Sequence, residues 1–162
     1  AGFPGIPLKI LFPEWRLVLL ESVTKKTNFL HHLVSQLRLQ STEIISERAE
    51  ELGHDVAFRE QFETVVSRAV APLPTLLELT LPFCRRGGVF IAQKKGDVAT
   101  EIELSRQALE VLGGQLKEAR KISLAGLEAR LLLVTLKVAN TPPAYPRRPG
   151  IPAHHPIFKR SP

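Results

Sequence analysis

The sequence predicts an α/β fold of the Rossmann-like class, a mostly parallel sheet carrying an antiparallel C-terminal hairpin. Short apolar or β-branched runs alternate with stretches of helical periodicity from Leu17 to Lys137. A glycine-proline loop, Gly2 to Pro7, precedes the first of these runs, and that run ends on an acidic residue, Glu21. Alternation of this kind implies parallel strands joined by right-handed crossovers. Ligands of such folds bind at the carboxyl ends of the strands.

The elements follow in order. Gly2 to Pro7 leads into Leu8-Lys9-Ile10-Leu11-Phe12, read as a short helix, and Leu17 to Leu20 is a continuous apolar run, as in a buried parallel strand. From Lys25 to Leu39, Phe29, Leu30, Leu33, Val34 and Leu37 recur on one helical face. Thr42 to Arg48 and the β-branched stretch Thr64 to Val70 read as the next strands. Pro72 and Pro74 open a leucine-rich helix that ends near Pro82. Gly87-Gly88 is expected to be a turn before a strand at Val89 to Ala92. A helix over Thr100 to Leu112 should stop at Gly113-Gly114, where helices favour glycine. Ala119 to Leu124 and Arg130 to Lys137 are close enough, across Ala125-Gly126-Leu127, to form a hairpin. From Asn140 onward the chain holds seven of its 13 prolines and no Asp or Glu, so an extended basic arm is expected. The domain division read from this is residues 1–139 as one ligand-binding domain and residues 140–162 as its tail.

Composition narrows the function classes. The chain has 162 residues, with 22 Lys and Arg against 16 Asp and Glu, a balance that permits an anionic partner without requiring one. One cysteine, Cys84, excludes a disulfide framework and a cysteine-rich metal site, and fits a reducing compartment. Apolar runs are too short to span a membrane, which makes a cytoplasmic domain the default expectation. The chain opens inside a glycine loop and contains no methionine, so it reads as lacking an upstream part.

The chemistry concentrates in a few places. Glycine lets backbone pass close to a ligand. A carboxylate at the end of the strand after such a loop stands where doubly wound folds hydrogen-bond a ribose, and Glu21 has that position. A glycine-proline turn beside a surface glutamate would look the same. His31-His32 lack the i, i+4 spacing of a metal pair, and no metal is expected. Cys84 stands before Arg85-Arg86, which could lower a thiol pKa, but no catalytic partner is evident and a structural thiol is expected. In the arm, Arg147 and Arg148 offer planar phosphate donors and Tyr145 a stacking face; packing of the arm back onto the domain is the competing reading.

Ala1 to Leu8, Arg48-Ala49-Glu50-Glu51, Ser67-Arg68-Ala69-Val70-Ala71-Pro72-Leu73, Gly87-Gly88, Lys95-Gly96 and Thr141 to Pro152 occur in an order that resembles the glucose-inhibited division protein B family. That family comprises bacterial methyltransferases acting on guanine N7 in 16S ribosomal RNA. The resemblance spans essentially the whole chain, and its Arg-Ala-Val-Ala-Pro and Tyr-Pro-Arg-Arg segments are specific. It implies a class I methyltransferase fold with S-adenosylmethionine as cofactor. The family's N-terminal helical segment and its strand entering Asp-x-Gly-x-Gly are not in this sequence, which implies a sheet without its central first strand. By the resemblance, Gly2 and Phe3 line the cofactor pocket, Glu21 and Ser22 meet the ribose, and Ala49 and Glu50 frame the adenine. Arg68 is the implied catalytic residue, between cofactor and RNA, and is also implied to contact the cofactor. Lys95, Tyr145, Arg147 and Arg148 join it as RNA contacts. The implied partner is 16S ribosomal RNA or the small-subunit particle, met by a monomer. A non-catalytic RNA-binding role is the alternative. A nicotinamide-dependent reductase is disfavoured by Pro4 and Pro7 in the loop and by the lack of a Tyr-x-x-x-Lys pair.

Overall fold

The computed structural model describes residues 1–68, 70–96, 98–123 and 130–158. Its contacts divide the chain into two compact units, Ala1–Ala49 and Glu50–Pro162.

The first unit holds helix α1 (Gly5–Leu11), strand β1 (Leu17–Leu20), helix α2 (Thr24–Gln36) and strand β2 (Thr42–Ile45). The strands pair in parallel, from Leu17 opposite Thr42 to Leu20 opposite Ile45. Ile6, Leu19 and Leu30 form its small core, backed by Leu33 and Val34. Phe29 and Leu37 do not join this face; they are 50% and 43% exposed. Thr27, Leu30 and Val34 keep the i, i+3, i+7 spacing, and Phe29 lies roughly 100° round the helix from Leu30. Gly5 is packed so closely that a Cβ there would come 2.8 Å from Leu19 Cδ2.

Helix α3 (Ala49–Leu52) leads into the second unit, which contains β3 (Phe62–Arg68), α4 (Leu73–Thr80), a 3-10 turn (Leu81–Phe83), β4 (Cys84–Lys95), α5 (Ala99–Leu104), α6 (Arg106–Leu112), β5 (Gly114–Ile122), β6 (Arg130–Lys137) and α7 (Ile151–His154). The sheet order is β3-β4-β6-β5, with β3 and β4 parallel and β6 antiparallel to both its neighbours. β1 and β3 are therefore each an edge of its own sheet. The expected antiparallel hairpin is present and supplies an edge of the sheet, with β5 outermost and β6 interior. The sequence explains why: β6 is apolar along Leu131 to Val134 and can be covered on both sides, whereas β5 carries Lys117, Glu118, Arg120 and Lys121, charges that suit an edge. The turn expected at Ala125-Gly126-Leu127 lies outside the described residues.

Several boundaries differ from expectation, β5 beginning at Gly114 rather than Ala119 and β2 ending at Ile45 rather than Arg48. Gly87-Gly88 is absorbed into β4 as an irregularity, since the register slips between Phe62 opposite Cys84 and Thr64 opposite Val89. Gly87 adopts φ +80°, and a Cβ on Gly88 would come 2.7 Å from Glu63 O. The helix expected over residues 100–112 is two, broken at Ser105, whose hydroxyl donates to Glu101 O at 2.6 Å. That back-bond competes with the helix ladder. Gly113 stops α6 in the left-handed region as expected.

The core of this unit gathers Leu73, Leu76 and Leu77 of α4, Phe90 and Ala92 of β4, Ala108 and Leu112 of α6, and Leu133 of β6. Beside it the Lys137 side chain is fully buried, and its ammonium donates to Leu81 O and Leu112 O, each at 3.0 Å. Those are carbonyls at helix ends, and each has a second donor: the Cys84 N–H on Leu81 O and the Thr141 hydroxyl on Leu112 O. Thr141 Oγ1 also accepts from it, and Glu60 stands 3.5 Å away.

Candidate functional site

In the first unit the glycine loop and the end of β1 carry the residues expected to meet a cofactor. Gly2 sits at φ +80°, where a Cβ would press on Ile6 Cγ1 at 2.9 Å and Leu30 Cδ2 at 3.0 Å. Only glycine fits, so the loop presents backbone at this point. Phe3 is 60% exposed. Glu21 follows β1 directly, its own N–H donating to Ile45 O at 3.1 Å. Its carboxylate is oriented: Oε1 accepts the Val23 N–H at 3.0 Å, and Lys26 Nζ stands 3.7 Å from Oε2. A fixed, partly exposed carboxylate at a strand's carboxyl end suits a vicinal diol. Ser22 beside it is exposed, and Ala49 is half-buried where α3 begins.

In the second unit, Glu50 is 7% exposed and accepts the Gly150 N–H at 3.2 Å, an anchoring role the sequence did not suggest. Arg68 closes β3 and is exposed, opposite Gln93 in register. Lys95 closes β4, exposed, opposite Arg130. Because β3 and β4 are parallel, both cations stand at the same, carboxyl edge of the sheet. Ser67, next to Arg68, is buried, and its hydroxyl has no hydrogen-bond partner among the described residues. The start of α4 is pinned nearby: Glu101 Oε2 accepts the Leu73 N–H at 2.8 Å and pairs with Lys94 at 2.6 Å, while Lys94 also donates to Ala71 O at 3.1 Å.

The arm is where the structure departs most from expectation. It is not a free extended tail. Arg59 fastens it, donating to Tyr145 O at 2.8 Å, Thr141 O at 2.7 Å and Pro142 O at 3.2 Å. Glu60 accepts the Thr141 N–H at 2.7 Å, His54 Nε2 meets Pro146 O at 2.7 Å, and Thr75 donates to Pro152 O at 2.9 Å. Gly150, at φ +87°, caps the single turn of α7, so the proline-rich segment is not wholly irregular. Arg147 grips the buried Glu78 with two side-chain donors, Nε to Oε1 at 2.9 Å and Nη2 to Oε2 at 2.7 Å. This ion pair raises the Arg147 pKa. Its guanidinium also lies 5.9 Å from the Tyr145 ring centroid. The guanidinium fork expected to grip phosphate is thus engaged by a carboxylate instead. Arg148 is exposed, with no ion pair among the described residues. Lys159 and Arg160 lie outside the described residues.

Cys84 is fully buried, and burial pushes its thiol up to about 12 despite the opposing pull of Lys137. Arg85 instead pairs with Glu63 at 2.6 Å, so the neighbouring cations do not activate the thiol. His31 and His32 are exposed on α2, and no cluster of three or more metal-ligating side chains occurs among the described residues. No helix is long and apolar enough to cross a membrane among those residues. Glu78 escaped the sequence reading, although a lone acid inside Leu-Pro-Thr-Leu-Leu-Glu-Leu-Thr was a usable signal: a charge within an apolar helix needs a partner.

Comparison with known proteins shows the family. A family model described as rRNA small subunit methyltransferase G (GidB) matches residues 1–130. The ribosomal RNA small subunit methyltransferase G of Dehalococcoides mccartyi is 49% identical over 159 residues, covering 98% of this chain and 68% of the relative. That of Roseiflexus castenholzii is 49% identical over 158 residues, with the same coverage of each chain. Among solved structures, a 16S rRNA adenine-N1 methyltransferase from Catenulisporales acidiphilia aligns with TM-score 0.66 at 14% identity, over 84% of this chain and 79% of that one. An M. jannaschii protein in complex with AdoMet aligns with TM-score 0.56 at 18% identity, over 81% and 61%. At such identities the structures speak for the fold alone.

Proposed function

The chain belongs to the rRNA small subunit methyltransferase G family, and from that membership we propose that it transfers a methyl group from S-adenosylmethionine to N7 of a guanine in 16S ribosomal RNA. The observation that carries this reading is the family match over residues 1–130 together with 49% identity along nearly the whole chain. The residues of the first unit fit the cofactor. Gly2 offers close backbone approach and Glu21 an oriented carboxylate for ribose hydroxyls, with Phe3 and Ser22 exposed beside them. Ala49 and Glu50 would frame the adenine. S-adenosylmethionine, when bound, supplies the activated methyl group.

What this chain must add is modest. Guanine N7 has a free lone pair in the base plane and no proton to lose, so the protein needs no general base. Its work is to hold the base in line and to exclude competing geometries. Arg68 is the residue proposed to act at that point. The base gains positive charge, so a cation pressed on N7 would oppose the reaction. The common bidentate arginine grip on O6 and N7 would also block the nucleophile. Arg68 is therefore assigned to O6 or to phosphate. Lys95, at the same sheet edge, Tyr145 and Arg148 are assigned to RNA binding. 16S ribosomal RNA or the small-subunit particle as substrate, a monomeric enzyme and a cytoplasmic location complete the proposal.

The test is methyl-labelled S-adenosylmethionine incubated with 16S ribosomal RNA and the chain, the product being located as N7-methylguanine by mass spectrometry. Arg68→Ala should lower kcat at least about tenfold while leaving cofactor affinity near wild type. Cofactor bound with no label transferred would favour an RNA-binding role without catalysis.

A further inference from the structure

We infer that Glu78 is a positioning residue for RNA capture: it holds Arg147 inward and thereby makes Arg148 the phosphate contact of the C-terminal arm. This rests on the RNA-substrate reading above. The physical starting point is α4, which buries Glu78 completely among leucines. A carboxylate in that setting must be neutralised and hydrogen-bonded. Arg147 does both, giving its backbone N–H at 2.8 Å and Nε at 2.9 Å to Oε1, and Nη2 at 2.7 Å to Oε2. The same Nη2 donates to His155 O at 2.7 Å, so the guanidinium also closes the arm upon itself.

Two further acids are turned inward beneath the arm. Glu60 receives the Thr141 N–H at 2.7 Å and Glu50 the Gly150 N–H at 3.2 Å. Residues 140–162 contain no Asp or Glu of their own. The outward surface of the arm therefore offers cations and neutral groups: Arg148, with His154 and His155, all exposed. Arg148 is flanked on one side by the Arg147–Glu78 clamp and on the other by the Gly150–Glu50 bond, so its backbone is fixed before any ligand arrives. A pre-organised donor loses less conformational freedom on binding. A planar guanidinium matches two phosphate oxygens at once. The partner this surface fits is an RNA phosphate backbone, met without regard to base identity.

The experiment measures affinity of the chain for in vitro transcribed 16S ribosomal RNA at several salt concentrations, alongside thermal unfolding. Arg148→Ala should weaken binding several-fold, leave Tm unchanged and flatten the slope of log affinity against log salt by about 0.7–0.9. Glu78→Gln combined with Arg147→Gln keeps an uncharged hydrogen-bonding pair in place of the ion pair, and its salt slope should stay wild type. A slope that flattens in the double variant as much as in Arg148→Ala would overturn the inference, since Arg147 would then itself contact phosphate. So would an Arg148→Ala chain with an unaltered slope, a result available even where the double variant fails to fold. Absence of any salt-dependent RNA binding by the wild type would overturn the substrate reading itself, and this inference with it.

Discussion

Replacing Lys137 with Met tests whether a buried cation holds the helix ends of the second unit together. The substitution keeps an unbranched apolar stem as long as the lysine's four carbons and removes the ammonium. Leu81 O, which receives Lys137 Nζ at 3.0 Å, would lose that donor but keep the Cys84 N–H. Leu112 O would not be orphaned, because Thr141 Oγ1 donates to it at 2.9 Å. Glu60 would keep the Thr141 N–H at 2.7 Å, and with its side chain 21% exposed its charge can be hydrated. Breaking a fully buried ion pair costs about 3–5 kcal/mol. Here both carbonyls keep a second donor, so the closer measure is a lost hydrogen bond to a charged group, about 1.5–3 kcal/mol, since desolvation of the ammonium is avoided at the same time. The expected loss is therefore about 2 kcal/mol.

Urea unfolding at pH 7 reads this directly. With a slope of about 2 kcal/mol per molar, the midpoint should fall by about 1 M while the slope stays constant. The pH dependence gives a second handle. Burial lowers the Lys137 pKa below 10.5, so between the folded value and 10.5 the unfolded chain binds the proton more readily. Wild-type stability gains from Lys137 as pH rises through that window, and Lys137→Met should lose that gain. A midpoint within about 0.2 M of wild type would refute the reasoning, because the ammonium would then be dispensable to the carbonyls it bonds.

Glu21→Gln should weaken S-adenosylmethionine binding by about 30- to 150-fold, the loss of roughly 2–3 kcal/mol from charge-assisted bonds; calorimetry showing equal affinity would remove Glu21 from the ribose. Cys84 should resist iodoacetamide at pH 8 until the chain unfolds, so alkylation in the native state would contradict its burial. Because its pKa rises from 9.0 to about 12 on folding, Cys84 should make stability fall with pH across that interval by about 1.4 kcal/mol per unit, and Cys84→Ala should remove that fall. Ser67→Ala deletes a buried hydroxyl without a partner, so Tm should stay level or rise; a clear drop would reveal a hydrogen bond to that oxygen.

Much of the fold was legible because its signals are local. Leu17–Leu20 and Arg130–Lys137 read as strands from apolar runs alone, and Gly113 marked the end of α6 because few other residues accept its φ of 74°. What stayed hidden depended on partners distant in sequence. That β6 would lie between β4 and β5 was left open by the sequence, since it depends on β4 partners as far off as Val89 opposite Leu136, and it is visible only afterwards in the contrast between an apolar β6 and a charged β5. The inward turn of Phe29 failed for a simpler reason. Helical periodicity permits several faces, and the position of β1 and β2 chooses Leu30 over its neighbour.

The arm shows why charge counts do not identify contacts. In the sequence Arg147 and Arg148 are equivalent: adjacent, cationic, in a segment without acids. Their difference is imposed by Glu78, 69 residues earlier, whose burial in α4 leaves it no hydration and therefore demands a cation. Once one arginine answers that demand, the other is freed from it, and the backbone between them is fixed by the same bond. Structural and recognition roles are thus neither alternatives for the segment nor shared equally by its residues. A count of basic residues overstates the charge available to a phosphate by each cation already matched to a buried acid. In this arm it also hides that the match is what holds the remaining cation in place.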